Sequence, residues 1–428
     1  MDFGAGVEKL RQGFQPAFWV ANSSELFERV AFYSQQAFLS LFLLDRMKLG
    51  DVAQAHLMGY FGLAVYLLPV VVGSLADHYG FRRALVVAYL IDGTGYFLLG
   101  SVRSSWMAPV RAALPDYWLL LGILLLGALG PALVKPCVAG TVATGSTDET
   151  RSLGYAIYYW LVNIGAGLGP LLGTAVVAAL GMEANFRLCA LVAYAMAIFV
   201  GIFYREPAAA RAARAGASLR KALANSALVL RNWRFVLFML IVSAYWLVFY
   251  AFFVVMPGYV HRYVAPTLPD AYIGALTSAD AIMIAVFQIL ISRLTRRVAA
   301  FRAMIFGALI AAVSMVTVSL YPSFWMAAAG MAVFSIGEMT QAPRYYEYIS
   351  RLAPQGQEGV FMGYAFLPIA LGYYFEGLIG GHLLHYYGEV VHRPAELWWV
   401  LAAIGALAAV LMVIYDRAFV RAGAAAAA

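Results

Sequence analysis

Glu25-Leu26-Phe27-Glu28-Arg29-Val30-Ala31-Phe32-Tyr33 places three ionisable side chains inside a segment otherwise apolar enough to span a bilayer. Positions i, i+3 and i+4 share one face of a helix, so Glu25, Glu28 and Arg29 form a single charged patch flanked by Ser24, Phe32 and Tyr33. Each such charge costs roughly 2.5 to 3.5 kcal/mol at mid-membrane on insertion scales, and three of them nearly cancel the apolar gain of the whole helix. The patch is therefore expected to face a protein interior or a watery cavity, where other helices supply partners for the remaining charge.

The surrounding chain has the composition of a polytopic membrane protein. Of its 428 residues 63% are hydrophobic and only 12% charged, which suits about a dozen spans and their loops. The first fifteen residues are mixed polar and run into the charged patch without a cleavable signal pattern, so the first span is expected to be retained. Hydropathy and breakers predict twelve spans, near 16 to 44, 53 to 76, 82 to 102, 114 to 144, 152 to 179, 186 to 204, 233 to 258, 270 to 295, 301 to 320, 324 to 348, 358 to 383 and 397 to 420. The predicted domains are an N-terminal six-helix bundle over 1–204, a cytoplasmic linker over 205–232 and a C-terminal six-helix bundle over 233–428.

With both termini cytoplasmic, twenty of the 29 Lys and Arg residues fall on the inner side and seven on the outer. This positive-inside bias predicts a multi-pass protein of the plasma (inner) membrane with both termini in the cytoplasm. The net charge of +7 is accounted for in the same way, so nucleic acid is not an expected partner. The two remaining basic residues, Arg29 and Lys135, lie inside spans. Cys137 and Cys189 fall in different spans without metal spacing and are expected to be packing residues.

Lys135 sits in Gly130-Pro131-Ala-Leu-Val-Lys135-Pro136-Cys137, with some twenty mostly apolar residues before it and about nine after, too deep to snorkel easily. Pairing with Glu25 or Glu28 is expected, with a bend at Pro136, which cannot donate a backbone bond. A weak repeat marks the midpoint: Gly73-Ser-Leu-Ala-Asp77-His-Tyr-Gly80-Phe-Arg82-Arg83 after span 2 has a degenerate counterpart in Ser292-Arg293-Leu-Thr-Arg296-Arg297 after span 8. The first copy resembles the loop signature of the major facilitator superfamily, where Asp77, Arg82 and Arg83 would form a cytoplasmic latch. That resemblance implies an all-α membrane protein of the major facilitator fold, twelve helices in two six-helix bundles.

Further motifs narrow the resemblance. The stretch from Glu25 to Tyr33 looks like the E-x-x-E-R-F-x-Y-Y motif of the proton-dependent oligopeptide transporter family, and the segment around Lys135 looks like that family's lysine-bearing helix 4. Tyr158-Tyr159-Trp160-Leu-Val-Asn163-Ile-Gly165, Phe334-Ser335-Ile-Gly337-Glu338-Met-Thr-Gln-Ala342-Pro343 and Gly62-Leu-Ala-Val-Tyr66-Leu-Leu-Pro69 are similar to its helices 5, 10 and 2. The chain departs from the family at Val30 and Phe32. It also lacks the external ion pair between helices 1 and 7, offering Gln36 on the first and Phe249 and Tyr250 on the second. It is read as a divergent twelve-helix member in which aromatic packing replaces that pair.

The resemblance implies a monomeric, proton-coupled symporter importing di- and tripeptides by alternating access. Arg29 and Lys135 would hold the peptide carboxylate and Glu338 its amino group, while Tyr33, Tyr66, Asn163 and Trp246 would supply hydrogen bonds and amphipathic walls. Glu25 and Glu28, with Arg29 and Lys135, would carry proton coupling, since a carboxylate beside a cation can exchange an ion pair for a proton when substrate competes for that cation. Asp280 falls near the amino-group position and could strengthen amine binding or take a proton. Asp92 and Glu376, each followed by glycine, fit structural acceptors at helix crossings.

No cofactor is expected beyond protons as the coupling ion, and no metal, since the six histidines lie in or near loops with no third ligand evident. The alternative is a proton-coupled carrier or exporter of another small amphoteric solute or drug on the same fold. An intramembrane enzyme would need a nucleophile and base, or a histidine-carboxylate set, at membrane depth, and the spans carry none.

Overall fold

The computed structural model describes residues 13–147, 149–207, 231–352 and 364–421, apart from some side chains that include 70–78. Twelve long helices occupy them. They are α1 (Pro16–Leu41), α2 (Asp51–Tyr79), α3 (Phe81–Ser101), α4 (Asp116–Gly145), α5 (Arg151–Leu180) and α6 (Met182–Phe203), then α7 (Trp233–Val254), α8 (Asp270–Thr295), α9 (Ala300–Ser319), α10 (Phe324–Leu352), α11 (Phe366–His385) and α12 (Leu397–Tyr415). The extended contacts among the described residues come down to one bridge between Phe14 and Ser146. The fold is all-α, as expected, and most of the predicted linker 205–232 lies outside the described residues.

Local chemistry sets the helix ends. Single glycines with positive φ separate neighbouring helices, Gly80 (φ 93) between α2 and α3 and Gly181 (φ 86) between α5 and α6. A β-carbon is strained in that backbone region, so each glycine makes a one-residue corner that another residue would resist. Asn232 caps α7, its side chain accepting from the Phe235 amide at 3.3 Å. Pro115 and Pro269 precede α4 and α8, where an absent N–H costs nothing.

Among the described residues, nine helices are long and apolar enough to cross a membrane by length and composition. The three long helices that fall short are α1, α10 and α11, which carry Glu25, Glu28 and Arg29; Glu338, Arg344 and Glu347; and Glu376. Large apolar side chains such as Trp160, Ile289 and Leu294 are exposed, as expected where lipid and not water surrounds the protein.

The chain divides into two compact units, Met1–Gln35 with Leu67–Ala222 and Gln36–Tyr66 with Leu223–Ala428. The first has a core of Phe81, Leu85, Tyr89, Cys137, Val138 and Tyr204. Both cysteines are buried. The second is built on aromatic contacts: Phe238 lies against Phe301, Tyr345, Tyr348 and Tyr415, and Phe252 against Phe334 and Trp398.

Helix crossings rest on small residues, as they must where lipid supplies no hydrophobic drive between helices. In the second unit a β-carbon on Gly59 of α2 would lie 3.1 Å from the Gly377 Cα of α11 and 3.0 Å from the Tyr374 carbonyl. Replacing Gly377 by leucine is expected to separate these helices and lower thermal stability in detergent by several degrees, while leucine at exposed Ala156 of α5 leaves it unchanged.

Candidate functional site

The charged patch of α1 is buried in the first unit, with Glu25, Glu28 and Arg29 at most 2% exposed. Arg29 serves both carboxylates. Its guanidinium hydrogen-bonds and ion-pairs with Glu28, its Nε lies 3.3 Å from Glu25 Oε1, and its charge sits 4.9 Å over the Phe32 ring. Among the described residues neither buried oxygen of Glu25 is hydrogen-bonded. The two glutamates are therefore unequal: Arg29 engages Glu28 directly and leaves Glu25 with unused acceptors.

Three other helices complete this cluster. Lys135 of α4 lies within electrostatic reach of Glu25, Glu28 and Arg29, so two carboxyls and two cations act on one another there. The helix carries Pro131 and Pro136 around that lysine. From α5, Tyr158 acts electrostatically on the same three groups, and a β-carbon on Gly165 would lie 2.5 Å from Arg29 Cβ. The aromatic-Asn-x-Gly segment thus ends in the residue that lets α5 approach Arg29. From α3, Tyr89 donates to Ser24 Oγ at 2.9 Å.

Asp92 of α3 also belongs here. It is fully buried against Gly130 and in electrostatic reach of Glu28, Arg29 and Glu25. The sequence reads Asp92, followed by Gly93, as a structural acceptor at a close helix crossing, and Gly130 of α4 is the residue it lies against. Tyr33 is half-buried, with its ring 5.3 Å from Phe32. Asn163 donates to the Tyr159 carbonyl of its own helix at 2.7 Å.

The second unit holds a different set. Asp280 of α8, 6% exposed, accepts from Ser335 Oγ of α10 at 2.6 Å. Its other partner is the Glu338 carboxyl, one turn along α10. Glu338 is half-buried and keeps one buried oxygen unpartnered. Tyr245 of α7 acts electrostatically on both acids, and among the described residues Tyr245 and Trp246 each keep a buried, unpartnered donor group. Trp246 packs beside Gly372 and has its ring 6.1 Å from Tyr345. Tyr66 has its ring 6.2 Å from Tyr250 and 6.4 Å from Phe366.

Gln36, which stands where the family carries an external ion pair, hydrogen-bonds to Tyr373 of α11, and Tyr373 stacks on Tyr250 of α7 with centroids 3.8 Å apart. A neutral hydrogen bond and a ring stack occupy the place of the missing charges. A polar set absent from the sequence reading lies further along: His261 has Nε2 3.1 Å from Asp45 and Nδ1 3.5 Å from Asp270. These three residues could hold a metal ion, and they were missed because more than 200 positions separate Asp45 from the others. Glu376 is fully buried against Gly380, with both oxygens unpartnered.

Of the expected latch residues, Arg82 donates to the Gly201 carbonyl, and the Phe81 amide beside it donates to Glu206 at 2.8 Å. Arg83 is exposed, and the Asp77 side chain lies outside the described ones. Arg344 pairs with Glu347 at 2.7 Å and caps the Thr295 carbonyl at 3.1 Å.

A family model for the Major Facilitator Superfamily matches residues 26–265 and 264–427. The chain belongs to the major facilitator superfamily and is an integral, multi-pass membrane transporter. At the level of sequence it is 23% identical over 374 residues to a Na(+), Li(+), K(+)/H(+) antiporter of Planococcus maritimus, covering 81% of this chain and 85% of the relative. It is also 23% identical over 372 residues to the multidrug resistance protein MdtH of Escherichia coli O157:H7, covering 86% of each. Among solved structures its fold is similar to a peptide transporter POT in complex with sulfate (TM-score 0.72, 16% identity, 94% of each chain). It is similar as well to a POT family transporter bound to 5-aminolevulinic acid (TM-score 0.74, 15% identity, 94% of this chain and 96% of that one).

Removing one member of a buried ion cluster strands the others at a cost of about 3 to 5 kcal/mol. Arg29→Ala is therefore expected to lower thermal stability markedly, and adding Glu28→Gln to restore part of it. A double-mutant cycle by thermal unfolding in detergent checks this, and equal losses in the single and double variants would contradict it.

Proposed function

We propose that the chain is a proton-coupled symporter that imports di- and tripeptides by alternating access. The observation that carries this reading is the set of buried Glu25, Glu28 and Arg29 with half-buried Lys135, in which an incoming carboxylate competes with glutamate for two cations. A glutamate deprived of its cation in an apolar site takes up a proton, and this links substrate to proton. Glu25, with its unused acceptors, is the proton acceptor, and Glu28 stays with Arg29.

A peptide also carries an ammonium group, and within the second unit Asp280 and Glu338 offer it carboxyls, and Trp246 and Tyr66 amphipathic faces. The fold likeness to peptide transporters agrees with this reading. The protein acts as a monomer in the plasma (inner) membrane with both termini cytoplasmic, the orientation favoured by its Lys and Arg distribution.

A second reading, a proton-coupled carrier or exporter of another small amphoteric solute or drug, draws on Asp280, which adds a second acid beside Glu338. The two relatives are named as an antiporter and a multidrug resistance protein. In proteoliposomes, wild type is expected to accumulate labelled dialanine under an inward proton gradient, with accumulation lost in Lys135→Ala. Uptake without the gradient would keep the peptide site and remove the coupling, and a wild type indifferent to dialanine and trialanine would leave the second reading.

A further inference from the structure

Three polar side chains from distant parts of the sequence converge at one end of the second unit. Asp45 lies in the π-helical turn Phe42–Arg46 that closes α1, His261 in the π-helical turn Val260–Val264 beyond α7, and Asp270 is the first residue of α8. The imidazole stands between the two carboxylates, with Nε2 3.1 Å from Asp45 Oδ2 and Nδ1 3.5 Å from Asp270 Oδ1. One ligand atom from each residue lies within 4.8 Å of those from the other two. The sequence predicts no metal-ligand set, whereas the fold brings two carboxylates to His261.

Close approach does not become hydrogen bonding here. Asp45 Oδ2 and His261 Nδ1 are both buried, and neither has a hydrogen-bond partner among the described residues. Their lone pairs are left for a group that seeks acceptors on several sides at once, and a metal ion is such a group. The charge points the same way. Asp45 and Asp270 act on each other as like charges, and the cation that reaches Asp270 is Arg46. The neighbouring Arg262 is engaged by Asp51 of α2. Two carboxylates against one arginine leave a negative site, and single π-helical turns such as those carrying Asp45 and His261 recur where proteins place functional groups.

We propose that Asp45, His261 and Asp270 bind one divalent ion of the zinc class, through one imidazole nitrogen and one oxygen of each carboxylate, with water completing the shell. Ligands in a zinc tetrahedron lie roughly 3.4 Å apart, close to both ring-to-carboxylate separations. The imidazole selects against calcium and magnesium, which take oxygen ligands, and the lack of a thiolate selects against copper(I). The three side chains are between 22% and 26% exposed, so an ion reaches them without unfolding of the protein. Once bound it pins the ends of α1 and α7 to the start of α8. The proposal depends neither on the substrate nor on the proton coupling argued above.

The test is calorimetric titration of the purified, tag-free, full-length protein with zinc chloride, with cobalt(II) absorption as a second readout. One zinc ion is expected to bind per chain and to raise the thermal unfolding temperature in detergent. Cobalt(II) is expected to show the intense visible bands of a low-coordinate site, lost on adding zinc and kept in excess magnesium. Asp45→Asn, His261→Gln and Asp270→Asn are each expected to weaken zinc binding by more than about tenfold, the loss that even residues behind the ligands cause. Unfolding of each variant without zinc shows that it is folded. His382→Ala, which removes one of another pair of imidazoles in the unit, with ring centroids 5.3 Å apart, is expected to leave zinc binding unchanged.

Absence of zinc binding in wild type, cobalt bands no stronger than those of the hydrated ion, wild-type affinity in the His261 variant or in both aspartate variants, or loss of binding in His382→Ala would each overturn the proposal. The wild-type spectrum and stoichiometry decide without the variants if one of them fails to fold.

Discussion

Arg29 is held by two carboxylates of its own helix inside a fully buried shell, and the first unit is arranged around the need to keep those charges satisfied. An isolated guanidinium at that depth would cost several kcal/mol, and a helix with two glutamates and no cation would cost as much. The segment is tolerable because Arg29 neutralises locally, Lys135 adds a second cation from α4, and Gly165 lets α5 close over the arginine. Proline on either side of Lys135 and small residues along α3, α4 and α5 follow from the same requirement. What such a shell gains is responsiveness: ions that balance one another within a few ångströms can be rearranged by one more charge.

The second unit meets a similar problem differently. Among the described residues, Asp280 and Glu338 have no cation among the groups that act on them, and Asp280 accepts instead from the Ser335 hydroxyl. A cation-bearing cluster in one unit and an acid pair in the other give the transporter two electrostatic handles of opposite sign, each built within its own unit.

The membrane class, the twelve helices and the burial of Glu25, Glu28 and Arg29 were legible in the sequence, because a charge in an apolar run has few affordable locations and each is informative. Helix ends were legible to within a few residues where glycine or proline marks them, as at Gly80, Gly181 and Pro269. Contacts between distant helices were less so. Nothing along the chain links Asp280 to Ser335 and Glu338, or His261 to Asp45 and Asp270, since these meetings depend on how helices rotate about their axes. The glycine beside Asp92 marks a helix crossing, but the acid's reach to Glu25, Glu28 and Arg29 of α1, more than sixty residues away, is not written along the chain.

The neutral contact of Gln36 with Tyr373 and Tyr250 has an electrical consequence. A full charge carried through the membrane field feels about 2.3 kcal/mol per 100 mV, whereas an amide, a phenol and a stacked ring carry none. Motion that makes or breaks this contact does no work against the membrane potential. Nor is it weakened by salt, which screens ion pairs and leaves ring stacking untouched. Voltage acts on this transporter only through groups that bear charge, so its electrical sensitivity is concentrated in the cluster at Arg29, in the acids of the second unit and in the charge of the solute itself.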